Sequence, residues 1–453
     1  MNELLKKAAV IAGEILKREE VLVVTHIDAD GITAGTIAYT SLLGAGVESR
    51  IKFVKQLDDS EIEKIRDENT FVWFTDIGSG VINLLDGLEF IITDHHVPQC
   101  SHPMQLNPHD FGYDGAFELS GATTTYLVSK YIGKFEREKD SFDLLPISIV
   151  GAVGDLQDSR WGMLRGLNRK IVFEGVRKGQ IAVTRDLRFF GKQTRPVAKM
   201  LEYSSDPFIP GITANEAGVL NFLESIGVDP WVRWIDLEME KKRKVVSALV
   251  SLAMDFGIPY ASILRMVGEC YILMNEEEGT EKRDAMEFST LLNATARYNE
   301  ADVGVGVCLG DERAYRRART LLQRHRKNLS DGIKFVDRNG IEELENIQYF
   351  HARDNIPDTI VGIVAGMCFY KGNSEKPIVA FAESDRGVKV SARATYRLVE
   401  RGVHLAKAIK EAAESVGGIG GGHSIAAGAT IPEGKEDEFL RILDRIIGEQ
   451  MRR

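Results

Sequence analysis

Short apolar runs punctuate the first third of the chain, at 21–25, 50–54, 71–75 and 90–93. Runs of this length, bounded by polar and turn-forming residues, predict strands. Helix-compatible segments lie between and after them, at 31–43, 59–67, 120–132 and 143–153, with Ser120 placed as an N-cap. Residues 1–20 read as an amphipathic helix rather than a signal peptide. Strand and helix in alternation predict a parallel sheet covered by helices on both faces. Near residue 200 the pattern changes. A connector with two prolines and a glycine, 202–212, leads into helical segments at 215–226, 236–256 and 259–267 with no clear strand between them. A charged stretch at 276–282 reads as a solvated loop. A helix pair follows over 286–330, its second member, 312–327, dense in arginine. Alternation then resumes, with strands expected at 333–336, 347–351, 377–382, 387–392 and 425–431, and helices at 358–370, 404–416 and 435–450. The expected architecture is α/β: an N-terminal parallel-sheet domain over 1–199, a helical insertion over 200–285, connecting helices over 286–330, and a smaller C-terminal α/β domain over 331–453.

The ends of the apolar segments carry the chemistry. After the first run come His26, Asp28 and Asp30 in alternation. If the backbone stays extended there, the three point the same way. They would sit at the carboxyl end of a strand, where open α/β sheets place their ligands. The run at 71–75 ends on Asp76, that at 90–93 on Asp94, His95 and His96, and a further apolar stretch ends on Asp155. A single Asp in such a place commonly starts a turn or caps a helix. Repeated oxygen and imidazole donors at successive element ends make a site for hard divalent cations, Mn²⁺ or Mg²⁺ rather than zinc. Near the C-terminus, Gly420, Gly421 and Gly422 precede His423 in a stretch that reads as a loop. Consecutive glycines let backbone N–H groups approach a phosphate closely.

Composition narrows the class. The 453 residues are 44% hydrophobic and 27% charged, as in ordinary soluble domains, and no apolar run reaches the length of a membrane span. Cys100, Cys270, Cys308 and Cys368 are scattered without CxxC spacing, which argues against a disulfide framework or thiolate metal site and fits a reducing cytoplasm. The net charge of −10 argues against a nucleic-acid coat protein, not against a nuclease whose acidic centre binds metal. Trp231 and Trp234 read as core residues of the insertion. The arginine-rich helix reads equally as a solvated face or as a phosphate-contacting or interdomain element.

His26-Ile27-Asp28-Ala29-Asp30-Gly31, Asp76, Asp94-His95-His96 and Gly154-Asp155 together resemble the motifs of the DHH phosphoesterases. Gly420–Gly422 with His423 and Ala426-Ala427-Gly428 resembles the substrate motif of the DHH-associated domain, and the segments 292–297 and 360–366 resemble RecJ-type exonucleases, especially their archaeal branch. The short His26–Asp28 spacing is that of RecJ-type members. The resemblance covers most of the chain outside about 200–285. It implies that His26, Asp28 and Asp76 bind one metal ion and that Asp30, Asp76, His95 and Asp155 bind a second, Mn²⁺ preferred. It implies that His96 touches substrate or moves a proton while Asp94 orients a histidine, and that Ser391, Arg393, Gly420, Gly421, Gly422 and His423 hold a substrate phosphate. The implied activity is hydrolysis of single-stranded DNA or RNA, 5′→3′, in replication or repair, with the GINS replication complex as a partner of the insertion; the alternatives are a phosphodiesterase of short oligonucleotides or cyclic dinucleotides, and a replication-complex scaffold of the RecJ-like helicase-subunit type.

Overall fold

The computed structural model describes residues 2–132, 144–204 and 207–452. Residue 143, where a helix is expected to begin, and residues 205 and 206 of the expected connector lie outside the described residues. The chain divides into two compact units, Met1–Leu322 and Gln323–Arg453.

The first unit opens with α1 (Asn2–Ile15), β1 (Glu20–His26), α2 (Ala29–Gly44), β2 (Glu48–Val54), α3 (Asp59–Arg66), β3 (Phe71–Thr75), β4 (Phe90–Thr93) and β5 (Gln105–Leu106). The five strands form one sheet in the order β2-β1-β3-β4-β5, every pairing parallel. Period-two alternation sorts the strand residues between two cores. Val21, Val23, Trp73 and Ile91 join α1, α2, α4 (Gly121–Ile132) and α5 (Leu144–Gly154) on one face. Leu22, Val24, Val72, Phe74 and Ile92 pack against α3 on the other. Covering both faces is what allows nearly unbroken apolar strands. The strand order reverses between β1 and β3, and the carboxyl ends there are where a doubly wound sheet leaves a crevice.

The next part of this unit departs from expectation. After α6 (Gly166–Arg177), β6 (Ile181–Leu187) pairs antiparallel with β7 (Val267–Leu273), in register from Ile181↔Leu273 to Leu187↔Val267. The range 200–285 was expected to hold no strand, yet β7 lies inside it. Its burial does not alternate strictly, since Cys270 and Tyr271 are both buried, and Tyr271 and Leu273 belong to the main core. Between the paired strands, α7 (Val197–Glu202), α8 (Glu216–Ser225), α9 (Met239–Asp255) and α10 (Tyr260–Met266) enclose a separate core with Trp234 at its centre. Trp231, expected in that core, is 59% exposed. The expected helix pair is three helices: α11 (Ala285–Arg297), α12 (Ala301–Cys308) and α13 (Glu312–Asn339). Glu281, expected in a solvated loop, is buried and accepts a hydrogen bond from Tyr315 Oη at 2.7 Å, with Arg319 Nε 3.4 Å away. Arg317 of the basic helix pairs with Glu300, so part of its charge is spent within this unit.

The strand expected at 333–336 is helical, the last turns of α13. The helical spacing of Leu329, Ile333 and Val336, which pack on the second core, overrides the local strand signal. The second unit then forms a six-stranded sheet in the order β12-β13-β11-β10-β9-β8, from β8 (Glu342–Glu343), β9 (Gln348–Arg353), β10 (Ile378–Ser384), β11 (Gly387–Arg393), β12 (Ile419–Gly422) and β13 (Ala426–Ile431). It packs with α14 (Val361–Cys368), α16 (Leu405–Ser415) and α17 (Glu436–Met451) around its own core, and α15 (Tyr396–Glu400) joins β11 to α16. The glycine run expected as a loop is an edge strand. Gly420, Gly421 and Gly422 pair with Ala429, Gly428 and Ala427.

Candidate metal centre and phosphate-facing residues

His26 ends β1, but the chain does not stay extended through Asp30. Asp28 caps α2, accepting a hydrogen bond from Gly31 N at 2.9 Å, and Asp30 lies in the first helical turn. The turn is forced to be glycine at 31, since a Cβ there would stand 2.0 Å from His26 O. Convergence is achieved all the same. His26 Nδ1 is 2.9 Å from Asp28 Oδ2 and 3.8 Å from Asp76 Oδ2. Asp30 turns inward and is received at the start of α4, by Ser120 Oγ at 2.9 Å, Gly121 N at 2.8 Å and Ala122 N at 3.0 Å. The open N–H groups of a helix start suit a carboxylate.

Asp76 follows β3 in the left-handed region, φ 59°, an uncommon backbone for any residue but glycine. Its carboxylate fits against α4 only because residue 121 is glycine. A Cβ there would lie 2.3 Å from Asp76 Oδ1. His95 Nε2 stands 3.2 Å from that oxygen and 3.8 Å from Asp30 Oδ2. On its other side, His95 Nδ1 donates to Gly115 O at 2.7 Å. That bond assigns a proton to Nδ1, so Nε2, which faces the carboxylates, is the nitrogen a metal ion would take. Asp155, just past α5, lies with Oδ2 3.7 Å from the His95 ring. Asp94 is wholly buried and accepts from Ser79 N, His95 N and His96 Nδ1 at 2.9, 2.7 and 2.8 Å. The His96 side chain itself is exposed.

These donors form three overlapping groups: His26, Asp28 and Asp76; Asp30, His95 and Asp155; and Asp76, Asp94, His95 and His96. Burial and the neighbouring Asp30 push the Asp76 carboxyl well above the usual range, and burial, opposed by His95 and the bond from Gln157, still lifts Asp155 to about 6. Burial would lower His95, yet the surrounding Asp76, Asp155 and Asp30 carboxylates hold it well above its ordinary value. Asp94 goes the other way. Burial opposes its ionisation, but the bond to His96 and the histidine charges hold it well below the carboxylate range. The cluster is short of positive charge at its centre. Both Asp76 oxygens are buried and accept no aligned hydrogen bond. Buried carboxylate oxygens are nearly always satisfied, and oxygen donors with imidazole nitrogen suit a hard divalent cation. The residues present therefore fit a metal centre in which Asp76 faces both of the smaller groups.

Residues 189–267 match the DHH-CID domain, and residues 346–449 match the DHHA1 domain. A Methanocaldococcus jannaschii protein described as uncharacterized is 33% identical over 444 residues, which are 95% of this chain and 94% of that one. A crystal structure of exonuclease RecJ bound to manganese matches with a TM-score of 0.60 at 17% identity, over 98% of this chain and 94% of the other. The chain belongs to the DHH phosphoesterases, and its fold is RecJ-like. RecJ of Thermus thermophilus in complex with Mn²⁺ matches this DHH phosphoesterase with a TM-score of 0.59 at 16% identity, and the chain spans 55% of its length. CDC45 of Entamoeba histolytica matches with a TM-score of 0.67 at 10% identity, over 99% of this chain and 98% of the other. At such identities the likeness is one of fold.

The second unit of this DHH phosphoesterase brings together the other set of expected residues. Ser391 and Arg393 lie on β11, opposite Gly428 and Ala426 of β13, with Gly421 of β12 opposite Gly428 in turn. Gly362 of α14 makes room for them, since a Cβ there would meet Arg393 Nη2 at 2.5 Å and Ser391 Oγ at 3.1 Å. Gly422 is required by its φ of +137°. A Cβ on Gly421 would meet nothing within 4 Å, so its bareness serves no packing need and keeps the sheet edge open. His423 is exposed beyond that edge.

Sequence reasoning missed Gln157. It is fully buried, and its Nε2 donates to Gly115 O at 2.8 Å and to Asp155 Oδ2 at 2.9 Å, while Oε1 accepts from Asn168 Nδ2 at 2.5 Å. It thus braces Asp155 and shares the carbonyl that holds His95. Nothing local marks an amide two residues beyond an aspartate as special.

Proposed function

We propose that this protein is a metal-dependent exonuclease that hydrolyses single-stranded DNA, with RNA as a further substrate, from the 5′ end, in replication or repair. The observation that carries the reading is the pair of buried Asp76 oxygens, neither accepting an aligned hydrogen bond, amid His26, Asp28, Asp30, His95 and Asp155. In this reading His26, Asp28 and Asp76 hold one divalent ion and Asp30, Asp76, His95 and Asp155 another, Mn²⁺ preferred and Mg²⁺ accepted. Divalent ions bound there supply water activation at neutral pH and neutralise charge on the attacked phosphate. The chain's own residues do the rest. Gly115 O fixes the His95 tautomer, Gln157 steadies Asp155, and Asp94 holds His96 by Nδ1 so that the exposed imidazole can give a proton to the leaving oxygen. Ser391, Arg393, the Gly420–Gly422 edge and His423 hold a terminal phosphate, Arg393 by paired charge-assisted hydrogen bonds.

The likeness to CDC45 raises a second reading, a scaffold in a replication complex. The insertion supports a partner-binding role beside catalysis, because Trp231, Met254, Phe256, Tyr260 and Leu264 are all more than half exposed. Such a surface suits a protein partner, and GINS is the one proposed.

Digestion of end-labelled DNA and RNA strands with added Mn²⁺ tests the enzymatic reading. Asp76→Ala should abolish hydrolysis, chelator should do the same to the wild type, and Mn²⁺ should restore only the wild type. Near-normal turnover by purified Asp76→Ala would sink the metal centre. An inert wild-type chain would favour the scaffold. Digestion from the 3′ end would correct the polarity alone.

A further inference from the structure

Away from the acidic centre, the first unit holds a cavity of about 590 Å³ between the β6–β7 pair and α9. That is the size of a small-molecule site. Its floor is internally neutralised. Lys192 is buried with Nζ 3.1 Å from Asp284 Oδ2 and 2.7 Å from Cys270 Sγ. Asp186 accepts from Trp234 Nε1 at 2.8 Å and from Leu187 N at 2.7 Å. Arg283 is occupied by the carbonyls of Leu273, Met274 and Glu276. The wall is different. Among the described residues, Arg185, Lys242 and Arg243 have no carboxylate at ion-pair distance, and Lys242 Nζ lies 5.9 Å over the Trp234 ring. Glu278, exposed, is the remaining acid on the lining. Three cations without an ion-pair partner, against one exposed acid, line one cavity in a chain of net charge −10. Beside them Ile235, Val246, Val267 and Ile272 offer an apolar wall. Cations next to an apolar surface are the complement of a phosphate joined to a base.

We propose that this cavity is a nucleotide-binding site distinct from the metal centre, with phosphate on Arg185, Lys242 and Arg243 and the base on the apolar wall. The nucleotide is either part of a strand whose end lies at the metal centre, which rests on the hydrolase reading above, or a free mononucleotide. Helix α11 gives the scale of the first case. Asp284 at the cavity floor caps α11, and Asn293 on the same helix accepts from Ala29 N at the catalytic loop, at 3.0 Å. Nine helical residues at about 1.5 Å each span about 13–14 Å. That is about four nucleotides at about 3.4 Å per stacked step.

The test is equilibrium binding to the full chain in EDTA, where hydrolysis is stopped. The probes are a fluorescent trinucleotide, a fluorescent dodecanucleotide and unlabelled adenosine monophosphate. The proteins are wild type, the triple variant Arg185→Ala/Lys242→Ala/Arg243→Ala, and Ser247→Trp, which fills the cavity from an exposed helix position and keeps every charge. If the site takes the strand, both variants bind the trinucleotide as wild type does and the dodecanucleotide at least tenfold more weakly. The triple variant also loses salt dependence, by about 0.7 in the slope for each phosphate contact removed. If the site takes a free nucleotide, adenosine monophosphate binds wild type and neither variant, and strand affinities are unchanged. Equal affinities of wild type and both variants for all probes would overturn the site while leaving Mn²⁺-dependent hydrolysis as a separate finding. Absence of any binding by wild type would overturn it as well. Loss of Mn²⁺-dependent hydrolysis by the wild type in a parallel digestion would instead mark failure of the hydrolase reading.

Discussion

Two side chains outside the recognised motifs set how the acidic centre and its supporting helix behave. Gln157 touches Asp155 and the Gly115 carbonyl, and its Nε2 lies 3.4 Å from His95 Nδ1. Partners that orient metal ligands commonly carry tenfold to a hundredfold effects. Gln157→Ala should lower hydrolysis by about that factor and raise the Mn²⁺ concentration needed for half-maximal rate, with calorimetry of Mn²⁺ binding moving in parallel. Unchanged metal affinity with lowered stability would reduce Gln157 to a packing residue. Glu287 sits at the other end of the same region, fully buried, accepting from Gln193 N at 2.7 Å and Thr194 Oγ1 at 2.8 Å. Burial, with Asp284 nearby, pushes its carboxyl up to about 7 from 4.5. The folded chain therefore keeps a proton that the unfolded chain releases. That contribution is fully present below about pH 4.5, is lost as pH rises to about 7, and is flat above. At about 1.4 kcal/mol per pKa unit it amounts to about 3 kcal/mol. Glu287→Gln should gain in melting temperature relative to wild type between pH 5 and pH 8. A pH-independent difference would exclude this group as the source.

At the scale of elements, β6 and β7 explain how the insertion is carried. Leu187 and Val267 are register partners, so the chain leaves and returns at one point. Removing 200–285 would delete β7 and with it Tyr271 and Leu273 of the main core. The natural excision is 188–266, closed by an Asn-Gly turn of the kind that joins paired strands. Two acids would then lose their ion-pair partners, Asp158 from Arg188 at 2.7 Å and Asp284 from Lys192 at 3.1 Å, all four side chains being buried, while Glu287 and Asp186 would lose hydrogen bonds from Gln193, Thr194 and Trp234. Stranding a buried charge costs about 3–5 kcal/mol. The excision alone should fold poorly. The excision with Asp158→Asn and Asp284→Asn should regain a cooperative thermal transition and Mn²⁺ binding while losing affinity for any partner of the insertion. Failure of the neutralised chain to fold would make the insertion part of the core.

For the whole molecule, each unit has its own core, and the two sets of candidate residues are divided between them. Arg393 is thus expected to act on binding rather than on the metal centre. Arg393→Ala should raise KM on 5′-phosphorylated single strands more than it lowers kcat, with a loss of about 1.5–3 kcal/mol for the charged contact. The same variant should treat strands with and without the 5′-phosphate almost alike, and its Mn²⁺ requirement should match wild type. No change on any substrate would remove Arg393 from phosphate recognition.

The pattern of apolar residues determined the parallel sheet, the two α/β parts, and the placement of His26, Asp76 and Asp94–His96 at strand ends, because burial on both faces writes itself into local sequence as unbroken runs. Only the tertiary structure decided how the donors meet. Asp30 reaches the centre from a helical turn, through bonds to residues 120–122 some ninety positions away, and Gln157 gains its role from Gly115 and Asn168. The same holds for β7, the edge strand at Gly420–Gly422 and the helical end of α13. Each was misjudged from its own residues because a strand is defined by the partner that takes its hydrogen bonds, and a helix end by the core that covers its face. Those partners come from distant parts of the chain, so their identity is a property of the folded arrangement and not of any local segment.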